Sequence, residues 1–172
     1  GYIPAYFELL SNSESSYSKR QGYIDKLQKQ DSAQASYYIA KYFLASNNTS
    51  MQLEGIKWLK ISANKGSLKA TYKLGVLHQS GDLNIIDDKQ AFKEISKAAS
   101  SGYKKAQKQL SQMYKEGIGT KSNMEKYTYW LNKAKQTSFD DKKQQLFDWL
   151  TNENNNSKLL ASFKYNGILT NW

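Results

Sequence analysis

The chain has 172 residues, 39% of them apolar, with 25 basic side chains against 15 acidic ones and a formal charge of +10. That length holds one ordinary domain or a short repeat array, the lack of cysteine excludes disulfides, thiolate catalysis and cysteine-ligated zinc, and no apolar run is long enough to span a membrane. Arg20 is the single arginine, so forked recognition of phosphates or guanine edges has little to draw on, and the charge reads as solubility and weak steering toward acidic partners rather than as a nucleic-acid footprint.

Along the chain, AYFELL (5–10) and SYSKRQGYIDKLQKQ (16–30) read as two helices joined by a polar loop, making residues 1–31 an N-terminal cap or a degenerate repeat. The start at Gly1 rather than Met favours removal of an export signal and a periplasmic or otherwise exported location, with the cytoplasm as the alternative. From residue 32 the sequence overlays on itself at 35 to 36 residues. Ala35, Ala70 and Ala106 coincide, as do Ile39, Leu74 and Leu110, then Ala40, Gly75 and Ser111, then Phe43, His78 and Tyr114. Further on, Trp58, Glu94 and Trp130 align, followed by Ser62, Ala98 and Ala134. Three copies result, at about 32–66, 67–102 and 103–138.

Each copy reads as helix, turn, helix. Ala70, Leu74, Leu77 and Gly81 share one face at spacings of three and four. Asp87 with Gln90 predicts an N-cap and capping box for a second helix, and Asn123 holds the same place in the third copy. Gly66 and Gly102 suit a left-handed turn closing each second helix. Pro4 is the only proline and lies outside the repeats. Beyond them, FDDKKQQLFDWL (139–150) reads as an amphipathic helix, TNENNNSK (151–158) as a polar linker, and LLASFKYNGILTNW (159–172) as an apolar tail folding back on the last repeat, so that 139–172 forms a C-terminal cap.

ATYKLGVLHQSG (70–81), ISKAASSG (95–102) and AQKQLSQMYKEGIGTKSNMEKYTYWLNKAK (106–135) follow the pattern Ala-x3-Leu-Gly-x2-Tyr-x2-Gly, then Lys-Ala-Ala-x2-Gly. This resembles the Sel-1-like repeat, a relative of the tetratricopeptide repeat. The resemblance covers roughly residues 32–137. Two departures stand out: Ser46 replaces the closing glycine of the first copy, and His78 stands where the family prefers tyrosine. The resemblance implies an all-α solenoid of helical hairpins with helical caps. For function it implies adaptors in signalling and membrane-associated complexes, virulence or exopolysaccharide factors, or immunity proteins beside secreted lipase effectors.

The pattern carries no sign of an enzyme. His78 is the only histidine, sits at a packing position, and has no nucleophile and acid placed beside it. Asp87–Asp88 and Asp140–Asp141 begin helices, where carboxylates stabilise the N-terminal dipole, and capping outweighs catalysis or metal ligation. GIGT (117–120) lacks the strand and the Gly-Lys-Ser/Thr of a phosphate loop. No cofactor or metal is expected.

In a hairpin solenoid the first helices line a concave wall, so the residues beside their packed stripe are the candidates for partner contact. These are Tyr37, Lys41 and Leu44, Tyr72, Val76 and Gln79, then Lys108, Gln112 and Lys115, with Tyr38, Lys73 and Gln109 adjoining. Tyr37, Tyr38, Lys41, Tyr72, Lys73, Val76, Lys108 and Gln112 form the expected contact set. Aromatic anchors among lysines suit a protein partner with an acidic surface. Trp58 and Trp130 share a repeat position and read as core, while Trp149 and Trp172 are unconstrained by it. The expected function is non-catalytic binding of a protein, as an immunity protein against a lipase-type toxin or as an adaptor or scaffold in an envelope or signalling complex, with no small-molecule substrate. Binding of nucleic acid or an anionic surface ranks below both.

Overall fold

In the computed structural model the described residues are 3–11, 16–81 and 86–136, and they contain eight α-helices and no strand. The expected C-terminal helix, linker and tail, with Asp140–Asp141, Trp149 and Trp172, lie outside them. The chain divides into a unit Gly1–Ala134 and a unit Lys135–Trp172. No described helix is long and apolar enough to cross a membrane.

α1 (Ile3–Ser11) and α2 (Tyr17–Lys29) precede the repeats. Pro4 sits in the first turn of α1, where a missing N–H costs nothing. Six helices follow: α3 (Ala33–Leu44), α4 (Thr49–Asn64), α5 (Leu68–Ser80), α6 (Asp88–Ser100), α7 (Lys104–Glu116) and α8 (Met124–Lys135). From α3 to α7 each helix packs on the next, and α1 and α2 both pack on α3. This is the order a solenoid of hairpins produces.

The starts of these helices are set by side-chain caps. Ser32 Oγ accepts from Ala35 N at 3.0 Å and Ser67 Oγ from Ala70 N at 3.2 Å. Asn48, Asp87 and Asn123 cap the second helices through Met51 N, Gln90 N and Lys126 N. Each such cap stabilises its helix by about 1 kcal/mol. The capping box expected at Asp87 is only half formed. Gln90 Nε2 donates to Glu94 Oε1 at 3.0 Å, and the Asp87 N–H donates to the His78 carbonyl instead. Gly66 and Gly102 close α4 and α6 in the left-handed region, with φ of 92° and 91°.

Three apolar clusters follow one another along the stack. The first joins Leu10, Ile24 and Leu27 to Ala35 and Ile39. A second joins Ala40, Ile56 and Leu59 to Ala70, Leu74 and Leu77. The third joins Ala91, Ile95, Ala98 and Ala99 to Ala106, Leu110 and Met113. The coincident alanines are therefore buried seats between neighbouring helices. At Gly75 the approach is closest, since a Cβ there would lie 2.6 Å from Ile95 Cγ1 and 3.2 Å from the Ala91 carbonyl oxygen. Two buried polar groups tie helices together: Ser62 Oγ donates to the Ala33 carbonyl at 2.6 Å and Gln107 Nε2 to the Ala99 carbonyl at 3.1 Å. Trp58 and Trp130 pack against these clusters, half-buried. α8 buries none of its own residues.

Candidate functional site: the face of the first helices

The first helices α3, α5 and α7 share a face. Gln109 Nε2 donates to Gln79 Oε1 at 2.7 Å, bridging α7 to α5. The rings of Tyr72 and Tyr103 lie 5.4 Å apart between the same two helices. Burial pushes the Tyr37 phenol above its ordinary 10.0, and neighbouring Tyr38 adds to the shift. Tyr103 is raised likewise, by burial first and then by Tyr37 and Tyr72. A seam of tyrosines on this face therefore runs across all three hairpins.

Two hollows open on it. One, of about 330 Å³, is lined by Tyr37, Lys41, Leu44 and Ala45 of α3 and its end, Leu59 of α4 and Lys73 of α5. The other, of about 450 Å³, is lined by Tyr72 of α5, Lys105, Lys108 and Gln112 of α7, and Tyr127 and Leu131 of α8. Each has a tyrosine and aliphatic carbon beside two exposed lysines. Such a hollow offers apolar ring area beside ammonium groups that attract negative charge.

Of the expected contact residues, Tyr37, Lys41 and Lys73 meet in the first hollow and Tyr72, Lys108 and Gln112 in the second. Gln112 also donates to Glu116 on its own helix. Tyr38 lines neither. Its ring lies 5.1 Å from Phe7 of α1, and Lys41 Nζ sits 4.3 Å from that same ring, so the N-terminal helix covers part of the wall. Val76 is half-buried outside both hollows.

Reasoning from the repeat missed Phe7, Lys105, Tyr127, Leu131 and Tyr103. Only Tyr103 carried a signal: it occupies the place of the capping serines Ser32 and Ser67 and makes no side-chain cap. An aromatic where a cap is wanted points to another use for the ring.

His78 is engaged within its hairpin. Its Nδ1 lies 2.8 Å from Glu94 Oε2, with both side chains largely buried. Asp87 caps α6 and Asp88 lies in its first turn. Among the described residues no group of three His, Asp or Glu side chains converges as a metal site would require.

No family model matches the chain, and no curated protein matches it. Among solved structures it is similar to a Sel1 repeat protein from Oxalobacter formigenes, at 22% identity and a TM-score of 0.59, over 72% of this chain and 92% of that one. It is also similar to a protective antigen present in uropathogenic Escherichia coli strains and displaying an SLR fold, at 24% identity and a TM-score of 0.58. That match covers 78% of this chain, which spans only 30% of the antigen. The likeness shows the fold: this chain is a Sel1-type solenoid of helical hairpins, as the repeat pattern predicted.

Proposed function

We propose that the chain is a non-catalytic binding module that holds an acidic protein segment along the face of its first helices. The observation that supports this most is the pair of tyrosine-and-lysine hollows on one face, built from successive repeats. Two side chains of one partner entering both hollows would gain buried area at each, and the lysines at the rims would speed encounter with an acidic surface. Raising salt would then weaken binding mainly through slower association.

Within this reading, the role is that of an exported immunity protein neutralising a lipase-type toxin, which rests on the resemblance of the repeats alone. The competing role, a scaffold in an envelope or signalling complex, uses the same face and predicts a stable complex without inhibition.

Affinity capture from the native lysate, with the parent chain and a Tyr37→Ala, Tyr72→Ala, Lys108→Glu variant, tests the face. Thermal unfolding of both forms run alongside excludes a folding defect. The expected result is one stoichiometric protein captured by the parent and lost by the folded variant. Loss of the captured protein's hydrolytic activity in the complex supports neutralisation, and retention of it supports scaffolding. Equal capture by both forms overturns the assignment of the face.

A further inference from the structure

The second helices carry a cleft of their own. An open cleft of about 320 Å³ lies between α4, α5 and α6, with the exposed Lys60 of α4 and Lys93 and Lys97 of α6 around it. None of the three lies within ion-pairing distance of a carboxylate among the described residues. Several other lysines have partners: Lys57 pairs with Glu54, Lys65 with Asp31, and Lys126 and Lys133 lie over aromatic rings. Lys93 and Lys97 are one helical turn apart, an arrangement of like charges that destabilises a helix slightly.

One carboxylate, Glu94, faces this cleft, and its two oxygens are already engaged. Oε2 meets His78 Nδ1 at 2.8 Å and Oε1 accepts from Gln90 Nε2 at 3.0 Å. Both Glu94 oxygens are thus bonded to other side chains, and three ammonium groups around the cleft outnumber its single charge. Asn64, also at the cleft, has a side-chain amide with no hydrogen bond among the described residues, and so offers a donor as well.

We propose that this cleft is a binding site for a compact multivalent oxyanion, one carrying two or more phosphate or carboxylate charges. Three ammonium groups from two helices supply separated point charges rather than a planar fork, which suits a compact, highly charged ligand over a single carboxylate. The volume lies at the lower end of small-molecule sites, roughly 300–1,000 Å³, and matches a compact ligand. The lysines of the site stand on the second helices, and Thr71 and Leu74 of α5 complete its lining.

Calorimetric titration of the full chain with inorganic pyrophosphate and, separately, with citrate tests the proposal at matched ionic strength. One saturable site is expected, with the tighter of the two anions distinguishing phosphate from carboxylate chemistry. The Lys60→Ala, Lys97→Ala variant should lose about tenfold or more in affinity, as removal of charge-assisted contacts does. Lys29→Ala with Lys121→Ala, which removes the same charge elsewhere, should bind as the parent does. Glu94→Gln, which removes the cleft's one negative charge, should bind more tightly. Absence of saturation with both anions, or equal loss in the two double variants, overturns the site.

Discussion

Tyr103 occupies the position at which Ser32 and Ser67 cap their helices, and the exchange shows how one residue is divided between stability and surface. A serine cap contributes about 1 kcal/mol, and a packed ring pair contributes about 0.5–1.5 kcal/mol beyond burial, so the two choices nearly balance. With the burial lost against the third cluster added, Tyr103→Ser should lower unfolding stability by about 1–2 kcal/mol while freeing Tyr72 and weakening partner binding. Unchanged affinity in that variant would show the Tyr72–Tyr103 contact to be irrelevant to the face. The seam also has a signature in pH. Tyr37 and Tyr103 hold their protons more tightly folded than unfolded, so the stability they contribute is complete below pH 10.0 and is lost as pH rises through their raised folded values. Tyr37→Phe with Tyr103→Phe should flatten the alkaline decline of the melting temperature. Parallel declines would place neither phenol in a buried seam. Asp31 gives a third example at this scale. It stands where Gly66 and Gly102 close later copies and takes a φ of 42°, tolerable for aspartate, with Lys65 paired to its carboxylate.

At the scale of helices, the middle hairpin differs from its neighbours by a matched pair of changes. Phe43 and Trp58 in the first hairpin, and Tyr114 and Trp130 in the third, pack against shared clusters. In the second, both positions turn polar together, and His78 meets Glu94. Either residue alone would leave a partner unsatisfied near the core, at a cost of about 1–3 kcal/mol. A double-mutant cycle with His78→Tyr and Glu94→Trp should show each single change destabilising and the double change recovering much of the loss, with a coupling of about 1 kcal/mol or more. Additive effects would mean the two positions are independent. The aligned triplets made this position visible in the sequence as an anomaly. The contact itself was not visible, because it depends on two helices separated by a turn of undetermined length. Capping fared similarly: Asp87 was legible as a cap, but the sequence could not reveal that Glu94 would claim the Gln90 amide. In the first hairpin, the missing glycine at Ser46 leaves α3 ending at Ala45 with ordinary right-handed geometry, and the Ser46 hydroxyl accepts from Asn48 N. The turn thus solves the same problem with a side chain.

For the stack as a whole, the repeat carried the fold because its small residues are dictated by close helix contact. Ala35, Ala70 and Ala106, with Ile39, Leu74 and Leu110, recur since each pair of helices meets the same steric demand. The hollows were less legible, since each is lined by residues from three helices and their depth depends on side chains outside the repeat pattern, such as Leu59 and Tyr127. Phe7 escaped notice for a related reason: nothing periodic places α1 beside Tyr38 and Lys41. The described helices thus carry two separate features, rings and lysines on the face of α3, α5 and α7 and a basic cleft between α4, α5 and α6. Hydrogen exchange of the chain with and without its captured partner tests that division most directly. The account predicts slowed exchange in α3, α5 and α7 around Tyr37, Tyr72 and Lys108, with α4 and α6 little changed. Protection confined to α4 and α6, or to residues 137–172, would contradict it.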